Sequence, residues 1–325
     1  MPPAAGTSLK PVRRMLAPKT LPKVEGGNFT RDLDLAQDEL VALLDLTQQV
    51  KESPARFSQS LKGQYLSLLF EKPSLRTRVT FELAIKQLGG DAILTTGPIG
   101  DREPLKDVAR NLDRWTNGIV ARTFSQETID DLAHWSELPV INALSDRYHP
   151  CQALADIFTL QEHFGDLAGL KLAFVGDGNN VAHSLMLSAL RMGMNFSIAT
   201  PHGYEPDAEI VAQAEALAAV SGAQLAISND PCETVSGAQA VYTDVWASMG
   251  QEHEQHERLA DFAQFQVNQK LFLQASDEAV FLHCLPAKRG QEVTDEVIES
   301  DQSVVFDQAE NRLHVQKALL LMLIG

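Results

Sequence analysis

The chain has 325 residues, 44% of them hydrophobic and 22% charged, an ordinary balance for a globular protein with enough apolar material for two cores. Its 27 basic and 43 acidic side chains leave a net charge of −16, which repels nucleic acid and anionic membrane, so any anionic ligand must be captured by a local cluster of cations. Three cysteines (Cys151, Cys232, Cys284) build no disulfide framework and fit a reducing, cytoplasmic compartment, and no apolar run approaches the ~20 residues of a membrane span.

The first 24 residues carry five basic side chains (Lys10, Arg13, Arg14, Lys19, Lys23) and no acid, in the manner of a transit peptide. Prolines 2, 3, 11, 18 and 22 deny them a continuous amphipathic helix, so residues 1–27 are expected to form a disordered extension. From residue 28 onward short apolar runs alternate with helical periodicity. Leu66 to Phe70 reads as a buried strand, followed by a polar loop and a helix through Leu88. Ala92 to Leu94, Ile119 to Ala121 and Val140 to Asn142 follow as strands with helices between them. Residues 149–165 predict one linking helix, with Pro150 suited to its first turn. A second series of strands runs Lys171 to Val175, Phe196 to Ala199, Gln224 to Ile227, Ala240 to Thr243, Val280 to Leu282 and Val304 to Phe306. A closing helix over 309–325, apolar from Val315 to Ile324, ends the chain. This rhythm predicts an α/β protein with two doubly wound parallel-sheet domains, 28–148 and 166–308, joined by the linking helix and closed by the last one. In such folds ligands sit beyond the carboxyl ends of the strands.

Glu71-Lys72-Pro73-Ser74-Leu75-Arg76-Thr77-Arg78 lies at such a strand end. Ser74 is placed as an N-cap, and the turn after it offers free backbone N–H groups and a partial positive charge. The helix dipole disfavours arginine there, so Arg76 and Arg78 beside Ser74 and Thr77 point to a bound anion rather than a merely capped helix. Arg122 ends another strand as a second candidate cation, with a surface salt bridge as the plainer explanation. His149 and Gln152 share one face at the start of the linking helix, where a lone histidine is more commonly a cap.

Gly176-Asp177-Gly178-Asn179-Asn180 follows a strand and opens a helix, like a dinucleotide loop. Val181 stands at the third glycine position, and no acid occurs from Leu185 to Tyr204 to hold a ribose, so NAD and dehydrogenase chemistry are set aside. Asp244 ends a strand shortly before Ser248-Met249-Gly250, a carboxylate with nearby hydroxyl and backbone groups suited to a substrate bearing both ammonium and carboxylate. His253 and His256, among Glu252, Glu254 and Glu257, lack the H-E-x-x-H order and predict no metal site. Cys284 follows an apolar strand. His283 beside it projects to the opposite face, poorly placed as the base of a covalent nucleophile.

Phe70 to Arg78 resembles the phosphate loop of the carbamoyltransferases, whose S-T-R-T-R appears here as S-L-R-T-R. His149-Pro150-Cys151-Gln152, Gly176 to Asn180, Asp244 with Ser248-Met249-Gly250, His283-Cys284-Leu285-Pro286 and Glu310-Asn311-Arg312 resemble the same family in the same order, on its ornithine-using branch, from about residue 28 to the end. The resemblance implies a homotrimer with sites near subunit interfaces, no metal and no organic cofactor. It implies transfer of the carbamoyl group from carbamoyl phosphate to the δ-amine of L-ornithine, giving L-citrulline and phosphate, in arginine biosynthesis. Ser74, Leu75, Arg76, Thr77, Arg122, His149, Gln152, Cys284, Leu285 and Arg312 are then expected to hold carbamoyl phosphate, with His149 at the carbamoyl oxygen and Gln152 at the amide. Asn180 (rather than Asn179), Asp244, Ser248 and Met249 are expected to hold ornithine, and Asp244, Cys284, His149 and Arg122 to carry the chemistry.

Two features depart from the family's pattern. Leu75 replaces a threonine and leans toward relatives that use acetylornithine. Asp244 and the Ser248-Met249-Gly250 stretch lean toward free ornithine rather than acetylornithine or putrescine, and Cys284 departs from the H-P-L-P of aspartate-using members. The segment Gly97 to Pro104 is short and lacks the Gln or His that in the family reaches a neighbouring subunit's phosphate. Arg102 and Lys106 are the candidates for that contact, Arg102 favoured for its planar fork, with solvent pairing to Asp101 or Glu103 as the plainer explanation. An inactive homologue that only binds would have lost site residues, and nearly all are present.

Overall fold

The computed structural model describes residues 21–247 and 254–325. Two all-parallel sheets organise it. The first contains β1 (Tyr65–Phe70), β2 (Asp91–Thr96), β3 (Gly118–Arg122) and β4 (Val140–Leu144) in the order β2-β1-β3-β4, and α1 (Gln37–Glu52), α2 (Leu75–Gln87), α3 (Leu105–Leu112) and α4 (Gln126–Trp135) alternate with these strands. The long α5 (Pro150–Phe164) leads to the second sheet, where β5 (Lys171–Val175), β6 (Asn195–Ala199), β7 (Leu225–Ser228), β8 (Ala240–Tyr242) and β9 (Val280–Leu282) run in the order β7-β6-β5-β8-β9. Its helices are α6 (Asn180–Arg191), α7 (Ala208–Ser221), α8 (Pro231–Val235), α9 (Gln255–Asp261), α10 (Gln269–Phe272) and α11 (Asp295–Ile298), and α12 (Val305–Ile324) closes the chain.

Local chemistry explains the boundaries. The central strands β3 and β5 are almost wholly buried, as a parallel strand covered on both faces must be, whereas the edge strand β2 is largely exposed. Ser74 caps α2 by accepting the Thr77 N–H at 3.3 Å, and Asp207 caps α7, which ends on Gly222 in the left-handed conformation. Pro150 opens α5, where a missing N–H costs nothing. Residues 150–160 of that helix are buried on every side, because α5 packs between α6 of one sheet layer and α12 returning from the other end of the chain.

Two expectations are corrected. Val304 to Phe306 is not a strand. The chain touches β9 through one bridge at Ser303, the Val304 N–H bonds Phe281 O at 3.0 Å, and α12 begins at Val305. Three apolar residues are too short a run to separate strand from helix, and the helical spacing that buries Val305 and Gln308 while exposing Phe306 decides it. The last helix therefore starts at Val305, four residues before the expected 309. Nor does an unstructured extension reach residue 27: Val24 is buried, its N–H bonds Met322 O at 3.3 Å, and Leu21 packs against the core. Leu21 and Val24 anchor the chain on either side of Pro22, which bars a helix but not packing. Residues 1–20 lie outside the described residues.

In each sheet the strand order reverses once, between β1 and β3 in the first and between β5 and β8 in the second. The crevices beyond those strand ends are where an open α/β sheet binds ligands. Here the two crevices open into a single cleft.

Candidate active site

The cleft has a volume of about 980 Å³ and is lined from both sheets. Its first wall is cationic. Arg76 and Thr77 stand in the first turn of α2, Arg122 ends β3, and Arg312 reaches in from α12, donating to Thr77 Oγ1 at 2.6 Å. Arg122 and Arg312 are buried, and the Nε of each has no partner among the described residues. Burial, with Arg312 beside it, pulls Arg122 down to about 10, and burial likewise lowers Arg312 and the half-buried Arg76. Buried polar groups are ordinarily paired. Three guanidiniums gathered at a helix N-terminus, two of them with an unpartnered buried Nε, suit a multiply charged anion. Leu75 and Lys72 also line this wall, the Lys72 Nζ lying 4.7 Å from the Phe124 ring centroid.

His149 caps α5 from the floor of the cleft. Burial, reinforced by Arg312 and Arg122, holds its imidazole well below the usual histidine range, so it enters neutral, with one N–H to donate and Nδ1 unpartnered. Gln152 lies one turn on, wholly buried and not on the cleft surface: its Nε2 donates to Asp156 Oδ1 at 2.8 Å, while its Oε1 has no partner among the described residues.

The second wall is built of carboxylates and amides. Asp244 accepts the Cys284 thiol at 3.1 Å on Oδ1 and Asn179 Nδ2 at 3.0 Å on Oδ2. Burial, with Asp244 adding to it, pushes the Cys284 thiol well above its usual range, so it is a neutral donor and not a thiolate nucleophile. Asn180 lines the cleft but donates to Ser145 O at 2.6 Å, and Asn179, the less favoured neighbour, is the residue that both caps α6 and orients Asp244. Leu285 sits at φ 57°, a left-handed conformation costly for a non-glycine residue. Its N–H bonds His283 Nδ1 at 2.9 Å, and His283 Nε2 faces Glu292 Oε1 at 3.2 Å. His283 thus works as a buckle for the Leu285 backbone and makes no hydrogen bond to Cys284.

Asp244, His283 and Cys284 also form a group with metal-ligand spacing, within 4.8 Å of one another. Both imidazole nitrogens and both Asp244 oxygens are already committed, so a cation there would have to break those hydrogen bonds. Gly178 explains the incomplete dinucleotide loop. A Cβ at that position would lie 2.3 Å from Pro206 N, so the glycine admits another stretch of chain where a pyrophosphate would otherwise approach.

Sequence reasoning missed two anchors. Glu71 clamps the loops beyond β2 and β3, accepting Ile99 N–H at 3.0 Å and Phe124 N–H at 2.8 Å. Arg258 pairs with Asp177 at 2.8 Å and Glu254 at 2.8 Å and donates to Trp246 O. Burial pushes Asp177 up to about 6 despite that partner. Glu71 stood inside a quoted motif without a role, and Arg258 lies 81 positions from its carboxylate with no sequence pattern linking the two. Arg102 is exposed and does not line the cleft of its own chain. Ser248 and Met249 lie outside the described residues, and Ala247 and Gln255, on either side of that stretch, line the cleft.

Two family descriptions cover most of the chain: the carbamoyl-P binding domain of aspartate/ornithine carbamoyltransferase matches residues 28–162, and the Asp/Orn binding domain matches residues 168–323. An ornithine carbamoyltransferase of Thermus thermophilus is 53% identical over 289 residues, spanning 88% of this chain and 93% of the relative. The solved ornithine carbamoyltransferase from Pyrococcus furiosus superposes with a TM-score of 0.90 at 45% identity, covering 93% of this chain and 98% of that one. An acetylornithine transcarbamylase complexed with acetylcitrulline is more distant, at 33% identity and a TM-score of 0.83, with 92% and 99% covered.

Proposed function

Because the chain belongs to the aspartate/ornithine carbamoyltransferase family, we propose that its cleft transfers the carbamoyl group of carbamoyl phosphate to the δ-amine of L-ornithine, giving L-citrulline and phosphate. One observation carries this reading: the under-satisfied guanidiniums of Arg122 and Arg312, with Arg76 beside them, open into the same cleft as the Asp244–Cys284 pair. The first group suits a phosphate dianion and the second an amine-bearing acceptor.

Ser74, Leu75, Arg76 and Thr77 hold the phosphate at the α2 N-terminus, and Arg122 and Arg312 complete its charge. Neutral His149 donates to the carbamoyl oxygen, where charge grows as the tetrahedral intermediate forms; one preorganised donor at such a site is worth ~3–4 kcal/mol. The Leu285 backbone takes the carbamoyl amide; Gln152, wholly buried and off the cleft surface, is assigned to the same amide only through its unpartnered Oε1. Asp244 orients ornithine together with Asn180, Ser248 and Met249, while Cys284 fixes the Asp244 carboxylate. A free alkylamine is protonated near neutral pH, and desolvation beside three guanidiniums favours its neutral form. The nitrogen lone pair then forms the C–N bond, the bond between the carbamoyl carbon and the phosphate oxygen breaks, and phosphate leaves with that oxygen and the electron pair. Asp244 assists loss of the amine proton.

The same reading assigns residues 28–148 to carbamoyl phosphate and 166–308 to ornithine, in a cytoplasmic enzyme of arginine biosynthesis. Self-association into a homotrimer is supported by an apolar stripe on α2 (Leu75, Val79 and Leu83, each at least 40% exposed) continued by Ile93 on β2. Arg102 then contacts a neighbouring subunit's phosphate. The test is a citrulline assay with ornithine, N-acetylornithine, putrescine and aspartate in turn. Ornithine alone is expected to give a ureido product. Preference for N-acetylornithine would overturn the acceptor, and no product with any amine would overturn the transfer.

A further inference from the structure

The segment that crosses from the first sheet to α5, residues 145–149, is fastened along its length by one face of α6. Asn180 Nδ2 donates to Ser145 O at 2.6 Å, His183 Nδ1 pairs with Arg147 O at 3.0 Å, and the His149 N–H donates to Ser184 Oγ at 2.9 Å. His183 Nε2 accepts the Asp207 N–H at 3.0 Å, which puts the ring proton on Nδ1 and makes it the donor to Arg147 O. The last of the three fastenings continues further. Ser184 Oγ donates to Asp32 Oδ2 at 2.6 Å, Ser188 Oγ reaches Asp32 Oδ1 at 3.3 Å, and Arg191 ties down the turn by donating to Asp32 O and Leu35 O at 2.7 and 2.6 Å.

We infer that Asp32 and Ser184 are positioning residues for His149, the group that meets the carbamoyl oxygen. This rests on the function proposed above. The geometry leaves the hydroxyl one arrangement. A carboxylate only accepts, so the single Ser184 proton goes to Asp32 and the lone pairs are left for the His149 N–H. Asp32 and Ser184 are 4% and 0% exposed, so water does not substitute for either partner. His149 is the N-cap of α5, where no helical carbonyl takes its N–H and its side chain makes no capping bond. Its own carbonyl accepts the N–H groups of Gln152 and Ala153 at 3.0 and 3.2 Å. With both backbone groups fixed, the imidazole keeps only its side-chain torsions, and its direction into the cleft is set by a carboxylate 117 positions earlier in the chain. The sequence motifs leave Asp32 and Ser184 unremarked.

The test is a double-mutant cycle read as kcat and KM. Ser184→Ala is expected to lower kcat ten- to thirty-fold with KM for ornithine within two-fold, and Ser184→Thr, which keeps the hydroxyl, to recover most of it. In a His149→Ala background, Ser184→Ala is expected to cost no more than two-fold further, since the residue it positions is gone. Asp32→Asn repeats the cycle with the substitution placed outside α6, at the far end of the Ser184 bond. Amide hydrogen exchange needs no turnover: the His149 N–H is expected to exchange at least ten-fold faster in Ser184→Ala and in Asp32→Asn than in the parent. Losses that multiply in the double variant, or unchanged exchange at His149, overturn the positioning role while leaving carbamoyl transfer intact. A parent chain that makes no ureido product with any amine overturns the proposed function instead, and the exchange measurement still decides whether Asp32 and Ser184 hold His149.

Discussion

The two switch points of this molecule have the same architecture and opposite chemistry. Beyond β1 and β3 stand Arg76 and Arg122, with no acid bonded to them among the described residues. Beyond β5 and β8 stand Asp177, Asn179 and Asp244, and Arg258, the guanidinium among the described residues lining that side, is paired with Asp177. A parallel sheet with reversed strand order supplies only a crevice and helix N-termini. The residues grafted onto the loops decide whether it receives an anion or an amine. The net charge of −16 weighs little on the first wall, because Arg122 and Arg312 are buried, Arg76 is half-buried, and all three act at contact distance.

If that division holds, the largest effect comes from the cationic side. Arg122→Met is expected to lower kcat/KM for carbamoyl phosphate by about a thousand-fold, the few kcal/mol of a buried charge-assisted contact with a dianion. Its melting temperature without ligand is expected to stay level or rise, because an incompletely paired buried cation is removed. Near-normal kinetics would break the comparison at its first term. On the opposite wall, Asp244→Asn is expected to lower kcat with ornithine about a hundred-fold while carbamoyl phosphate binding, followed by calorimetry, stays within two-fold. The magnitude is that of losing a positioned acid–base group. Equal damage to both ligands would mean the walls do not act separately.

How much of this was legible beforehand follows the same division. The anion wall announces itself locally, since Ser74, Arg76 and Thr77 are neighbours and arginine at a helix start contradicts the dipole. The second wall is assembled from a distance: Asn179 meets Asp244 65 positions away, and Leu285 is held by His283 and Glu292. Strand periodicity gave both sheets, because central parallel strands read as continuous apolar runs. It failed at Val304 to Phe306, where three residues carry no period. Asn179 and Asn180 both line the cleft, and the cap geometry of α6, which no periodicity reports, turns one toward Asp244 and the other toward Ser145.

A smaller effect tests whether the cationic wall is completed from outside the chain. Arg102→Ala is expected to lose about ten-fold in turnover, less than a buried contact because the residue is exposed. In subunits mixed with Arg76→Ala, activity is expected to exceed the average of the two parents, since a site shared across an interface leaves some pairings undamaged. A fully active Arg102→Ala, or mixtures that only average, would confine the wall to one chain.

The smallest effect on turnover, and the one that probes the seam between the walls, concerns Asp156 on α5. Gln152 and Gln308 donate to its Oδ1 at 2.8 and 2.7 Å, and it is wholly buried. Burial pushes its carboxyl up to about 7 from an ordinary 3.8. A group raised in the folded state binds its proton more tightly there than in the unfolded chain. Its stabilising contribution is therefore complete below about pH 4 and is lost as pH rises through about 7. Asp32 and Asp177, both near 6, act in the same direction, while His149 and His183, lowered by burial, act against it as pH falls. The difference between parent and variant cancels those common contributions. Asp156→Asn keeps the acceptor oxygen and removes the titration, so it is expected to melt several degrees above the parent at pH 8, with the gap narrowing as pH falls and closing near pH 4, and to change kcat less than three-fold. A gap that does not vary with pH would mean that Asp156 does not titrate between these values in the folded protein and that the seam is neutral throughout.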